Sequence, residues 1–215
     1  MPKSDSLYIK QVEVGPMQNF IYLLGDAQTR EVLVVDPAWD VEAILKIAKE
    51  EELTIKGALL THYHYDHVNG VEAFTEATDG VTYIQQKDIP YLKAMDVNKA
   101  NIKPLNGEST IQIGKIDVRC LLTPGHTPGS QCFLVNEALV SGDTLFINAC
   151  GRCDLPGGDV EQMYDSLKRL ASLDEKTILY PGHNYSDHTT STIQAEKLHN
   201  PYMQIKNKAD FLRFR

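Results

Sequence analysis

The stretch LLTHYHYDHVNG, residues 59–70, sets three histidines and an aspartate, His62, His64, Asp66 and His67, within six positions directly behind an apolar run. Burying several imidazoles and a carboxylate costs on the order of several kcal/mol unless hydrogen bonds or a cation compensate. A chain carrying this stretch therefore needs a fold that brings a buried strand to a shielded polar point, where further groups converge. Imidazole nitrogen and carboxylate oxygen are the usual donors to zinc, and both suit non-haem iron. A metal is the economical compensation. If extended geometry persists past Thr61, His62 and His64 point to the same side. Asp66 then continues the row, and His67 reaches inward by a turn of the backbone.

Candidates of the same kind stand at the ends of other expected strands. His126 lies in TPGHTPGS, where prolines and glycines fix a tight loop; Asp143 follows EALVSG, and His183 follows TILYPG. Taken alone, Asp143 reads equally well as a turn-forming aspartate. Donors gathered from several strand ends are how a rigid sheet positions a site.

The strands themselves follow from pattern. LYIKQVEV, NFIYLLGD and EVLVVDP are rich in β-branched and aromatic residues and are punctuated by Gly15-Pro16 and Gly25-Asp26. Val41, Ile44, Leu45 and Ala48 then follow helical spacing behind Asp40, a candidate N-cap. A buried strand, IKGALLTH, leads into the cluster, followed by a short helix, VNGVEAFTEAT, and a strand, VTYIQQ. Residues 86–104 read as a short helical or irregular connection. Beyond them come two strand pairs turning at Gly114-Lys115 and Asn136-Glu137, and a helix over Val160–Ala171. A strand at TILYPG and a last helix, about Thr190 to His199 and ended by Asn200-Pro201, complete the pattern. Two blocks of strands, each followed by helices, imply two packed sheets with helices outside.

At 215 residues and 42% hydrophobic content, the chain suits a single domain over residues 1–215. Its 21 basic and 29 acidic residues leave a net charge of −8, which argues against nucleic acid or an anionic membrane as partner. No apolar run approaches the roughly 20 residues of a membrane span or a signal sequence, so a cytoplasmic protein is expected. Cys120, Cys132, Cys150 and Cys153 read as reduced thiols in or near the core, since the C-G-R-C spacing lacks the second pair of a four-thiolate zinc site. No pattern specifies an oligomeric state.

HYHYDH resembles the H-x-H-x-D-H signature of the metallo-β-lactamase superfamily, and His126, Asp143 and His183 follow in that family's order. With aspartate in SGDTLF as the bridging residue, the chain is similar to the glyoxalase II branch, and GRCDLPGGD resembles the G-R-x-D loop of its single-domain hydrolases. The resemblance implies a four-layer αββα sandwich. It also implies two zinc ions, one held by His62, His64 and His126, the other by Asp66, His67 and His183, with Asp143 bridging. A hydroxide held between ions about 3.5 to 4 Å apart would attack an acyl thioester, with Asp66 combining ligation and orientation of the nucleophile. The helical glutathione-binding domain of glyoxalase II is not expected in the roughly thirty residues after His183, which favours a small-molecule or carrier-bound acyl thioester over hydroxyacylglutathione. The G-x-S-x-G motif of serine hydrolases is absent.

Three other readings share these residues. A persulfide dioxygenase of the same superfamily would use one Fe2+ on His62, His126 and Asp143, and the STI, glutamate and Asn-Pro of the tail resemble such enzymes. A lactonase would perform similar carbonyl chemistry. A metal-stabilised binding protein would keep the donors without turnover. Arg152 and Asp154 are expected to pair and hold the loop beside Asp143, and Tyr185 and His188 to border the substrate entrance, with His188 reading equally well as an exposed residue and not as a ligand.

Overall fold

A computed structural model describes residues 6–92, 97 and 101–214. The chain opens with an antiparallel run, β1 (Leu7–Val14), β2 (Asn19–Asp26) and β3 (Glu31–Val35). Helix α1 (Val41–Glu50) then crosses over to β4 (Thr54–Leu59), parallel to β3. Two short helices, α2 (Tyr65–Val68) and α3 (Val71–Thr78), precede β5 (Val81–Gln85). A 3-10 turn (Gln86–Asp88) and α4 (Ile89–Leu92) lead towards β6 (Ile102–Leu105), which closes the first sheet in the order β1-β2-β3-β4-β5-β6.

The second sheet is built from β7 (Ser109–Ile113), β8 (Ile116–Leu122), β9 (Gln131–Val135) and β10 (Ala138–Gly142). A small ribbon, β11 (Leu145–Phe146) with β12 (Ala149–Cys150), and helix α5 (Val160–Ala171) follow. Strand β13 (Ile178–Pro181) lies parallel to β10, and β14 (Ser191–Thr192) pairs with β13. The order is β14-β13-β10-β9-β8-β7, and α6 (Ile193–His199), α7 (Pro201–Gln204) and α8 (Lys208–Phe214) end the chain.

Alternation along the strands divides the apolar residues into layers. Phe20, Tyr22, Leu24, Leu33 and Val35 of the first sheet meet Val118, Cys120, Phe133 and Val135 of the second in the inter-sheet core. Their neighbours Ile21, Leu23, Val32 and Val34 face outward onto Val41, Ile44 and Ala48 of α1, the helical stripe seen in the sequence. On the other outer face, Cys132, Leu134 and Leu139 pack against Met163, Leu167 and Leu170 of α5 and Phe211 of α8. Three apolar interfaces separate four layers, and the expected αββα sandwich is the architecture observed.

Capping follows the sequence closely. Asp40 accepts from the Ala43 amide at 2.9 Å, and Asp159 caps α5 by accepting from that of Gln162 at 2.9 Å. All four cysteines are buried, and burial pushes the Cys120 thiol up to about 12 and that of Cys132 to about 11. Among the described residues no helix is long and apolar enough to cross a membrane.

The structure departs from expectation in three places. Residues 102–105 form a strand, not part of an irregular connection; Pro104 is tolerated because β6 is the sheet's edge. The single helix expected after the cluster is two, parted at Asn69-Gly70, where a Cβ on Gly70 would lie 2.7 Å from the Pro37 carbonyl oxygen. Asn200-Pro201 ends α6 after His199 as expected, but α6 is not the last helix: the same pair starts α7, with Pro201 in the first turn and Asn200 Oδ1 accepting from the Tyr202 amide at 3.0 Å. Replacing Phe133, fully buried between the sheets, with alanine is expected to cost about 3–5 kcal/mol, read as a lowered denaturation midpoint in urea.

Candidate metal centre

Strands β4, β10 and β13 end on the same edge of the sandwich, and the loop after β8 joins them there. The start of β2 contributes too: the Phe20 amide donates to the Gly182 carbonyl at 2.8 Å, stitching the sheets together beside the site. Small residues make the approach possible. A Cβ on Gly182 would stand 2.3 Å from Asp143 Oδ1, and Gly142, at φ +49°, would direct one into the Thr61 side chain at 2.5 Å.

All seven residues picked out in the sequence meet at this edge. His62, His64 and His126 form one group, Asp66, His67 and His183 a second, and Asp143 joins His62 and His67 in a third. Within each group the donor atoms lie within 4.8 Å of one another. Strand β4 stops at Leu59 and the chain bends at Thr61, so the strand does not simply run on; His64 itself is extended, and the His62 and His64 rings lie beside each other with centroids 4.7 Å apart. Asp66 does not continue that row. It comes from the first turn of α2, where its Oδ2 lies 3.3 Å from both His67 Nε2 and His183 Nε2. Asp143 spans the groups: Oδ1 is 3.3 Å from His67 Nε2, and Oδ2 is 3.5 Å from His126 Nε2 and 3.4 Å from His183 Nε2.

The ring orientations are set from outside. His67 Nδ1 donates to Asp36 Oδ2 at 2.9 Å, His126 Nδ1 to the Arg152 carbonyl at 2.6 Å, and His183 Nδ1 to the Met17 carbonyl at 2.9 Å. His62 Nδ1 contacts Thr61 Oγ1 at 2.9 Å, and that hydroxyl donates to Asp36 Oδ2 at 2.6 Å. Each ring consequently turns its Nε2 towards the centre, the arrangement by which outer hydrogen bonds orient metal-binding histidines.

Asp36 and Asn19 belong to the site although neither was singled out in the sequence. Asp36 serves His67 directly and His62 through Thr61. Asn19 Nδ2 donates to Asp66 Oδ2 at 2.8 Å, and its Oδ1 accepts from Trp39 Nε1 at 2.9 Å. Each had a signal: Asp36 is an acid at the end of a buried strand, as Asp143 is, and Asn19 heads a strand buried at every position. The Arg152–Asp154 pair forms as expected, with two contacts of 2.7 Å. Tyr185 stacks on His183, whereas His188 is exposed and outside the cavity.

The electrostatics call for a cation. Nε2 of His62, His64 and His126, and Oδ1 of Asp143, are buried without a hydrogen-bond partner, an arrangement costing about 1–3 kcal/mol for each atom. Burial, reinforced by neighbouring imidazoles, holds His62 well below the usual histidine range and His64 at about 4, leaving lone pairs free to bind. Burial also opposes charge on His67 and His183, but Asp143 and further carboxylates outweigh it, raising His67 well above the usual range and His183 to about 9. Asp143 is held well below the usual carboxylate range, with burial opposing and His67 and His183 prevailing. One half of the site presents bare nitrogens and the other concentrates negative charge. The donor set fits divalent cations such as zinc or iron.

Five of the donors, His64, Asp66, His126, Asp143 and His183, line a cavity of about 670 Å3 open to solvent. A profile described as Metallo-beta-lactamase superfamily matches residues 14–183. A Bacillus subtilis protein named as a probable polyketide biosynthesis zinc-dependent hydrolase, PksB, is 37% identical over 198 residues, spanning 92% of this chain and 87% of that one. Hydroxyacylglutathione hydrolase of Psychromonas ingrahamii is 35% identical over 168 residues, 78% of this chain and 62% of its own length. The crystal structure of ETHE1 from Myxococcus xanthus matches with a TM-score of 0.86 at 30% identity, covering 96% of this chain and 89% of that one. With the profile spanning every residue of the donor cluster and the sandwich shared over nearly the full length, the chain belongs to the metallo-beta-lactamase superfamily.

Proposed function

We propose that the protein is a metal-dependent hydrolase that cleaves acyl thioesters with two divalent cations, zinc by preference. The observation that carries this reading is the convergence of seven donors in three overlapping groups, five of them lining an open cavity. The relatives named as a zinc-dependent hydrolase and a hydroxyacylglutathione hydrolase support it.

His62, His64 and His126 would hold one cation and Asp66, His67 and His183 the other, with Asp143 reaching both. Such ions supply Lewis acidity and lower the pKa of water towards about 7. The chain's own residues do the positioning. Asp66 lines the cavity with one carboxylate oxygen fixed by Asn19, so it is placed to orient a water and accept its proton. Water adds its oxygen to the thioester carbonyl carbon, the carbon–sulfur bond breaks, and the products are a carboxylic acid and a thiol. No side-chain nucleophile is needed.

Protein purified anaerobically without a metal-binding tag is expected to carry about two zinc ions per chain, and chelation should abolish thioester turnover until metal is restored. About one iron per chain, with oxygen uptake on a persulfide, would replace this reading with dioxygenase chemistry on His62, His126 and Asp143. The substitution His126→Ala should lower metal content and reduce kcat/KM by more than about 100-fold while far-UV circular dichroism is preserved. Unchanged metal content and turnover would remove His126 from the ligand set. Asn19→Ala, which frees the Asp66 carboxylate, is expected to lower metal affinity or turnover by about 10- to 100-fold.

A further inference from the structure

The cavity above the donors has two unlike sides. Met17, Phe146 and Tyr185 gather around His183: the Met17 carbonyl accepts from its Nδ1 at 2.9 Å, the Tyr185 ring stacks on it at 4.6 Å, and Phe146 approaches Tyr185 at 5.7 Å. Met17 is 45% exposed and Tyr185 58%, so this side gives a ligand thioether and aromatic surface. The other side, beside His64 and His126, mixes apolar with polar groups. There the Tyr63 hydroxyl donates to the Pro156 carbonyl at 2.6 Å, and Leu155 and Arg152 complete the lining, the Arg152 carbonyl accepting from His126 Nδ1. Among the described residues lining the cavity, Arg152 is the only lysine or arginine, and Asp154 already holds it through two contacts of 2.7 Å.

A thioester has two arms, and these two sides differ in what they can solvate. We infer that the site selects thioesters with an apolar acyl chain, laid against Met17, Phe146 and Tyr185, and an uncharged, amide-bearing thiol arm on the side of Tyr63 and Pro156. The assignment rests on the thioesterase reading above and narrows it. An acyl chain of several carbons replaces water on the aromatic side, each buried methylene giving about fourfold in affinity. A thiol arm bearing two carboxylates, as glutathione does, meets among the described residues one guanidinium, which Asp154 already pairs, so its carboxylates lose water for little pairing there.

The test is a series of N-acetylcysteamine thioesters, acetyl, butyryl, hexanoyl and octanoyl, used below their micelle-forming concentrations with the metal-loaded enzyme, alongside octanoyl-glutathione. The inference expects kcat/KM to rise about three- to fourfold per added methylene, and octanoyl-glutathione to be poorer than its N-acetylcysteamine counterpart by at least about tenfold. Tyr185→Ala should flatten the chain-length slope, whereas Tyr185→Phe, which keeps the ring, should preserve it. A flat profile in the unmodified enzyme, an equal or better glutathione thioester, or a slope unmoved by Tyr185→Ala would each overturn the assignment while leaving thioester hydrolysis standing. Metal-dependent turnover of none of the thioesters would instead remove the thioesterase reading, and this inference with it.

Discussion

Charge compensation at one edge of the sandwich is the constraint around which the rest is arranged. Five imidazoles and two carboxylates converge where β4, β10 and β13 end, and four of their polar atoms are buried without a hydrogen bond. The carboxylates favour positive charge at His67 and His183, but that does nothing for the bare nitrogens of His62, His64 and His126. Bound divalent metal would satisfy both halves at once, which is why the geometry favours a metal centre over a hydrogen-bonded polar cluster.

Rigidity for this arrangement comes from outside the donor set. Strands buried on both faces hold their ends in place, and carbonyls of Met17 and Arg152, together with Asp36 and Asn19, hold the rings and the Asp66 carboxylate. Asp88 extends the same logic: buried, it accepts from the Tyr63 amide at 3.1 Å, the Thr127 hydroxyl at 2.7 Å and the Gly129 amide at 2.6 Å. It thereby ties the loop carrying His62 and His64 to the loop carrying His126. Donors from four separate segments are held as one preorganised site because loop backbone groups and buried side chains such as Asp36, Asn19 and Asp88 fix them from outside.

Much of this was legible beforehand for identifiable reasons. HYHYDH concentrates its donors in six positions, and His126, Asp143 and His183 each follow a glycine near a strand end. Apolar alternation revealed the strands, and Val41, Ile44 and Ala48 revealed α1. Failures occurred where a local signal has two meanings. Asn200-Pro201 reads as a stop or as a start, and only the burial of Phe211 against the second sheet decides that helices follow. Pro104 argues against a strand unless that strand is an edge. Asn19 and Asp36 resemble ordinary turn residues until their partners, 47 and 25 to 31 positions away, are known.

Local chemistry, then, was determined by sequence alone: which residue types supply donors, which runs are buried, where helices are capped, and that the overall charge repels polyanions. These properties depend on neighbours a few positions apart, within reach of pattern. Tertiary structure decided that the donors converge, with Asp143 within 3.5 Å of His67, His126 and His183, which nitrogen the oriented rings turn inward, and that Met17, Phe146 and Tyr185 form one side of the cavity. Each of these depends on contacts between segments that only the packing of two sheets brings within hydrogen-bonding or van der Waals distance.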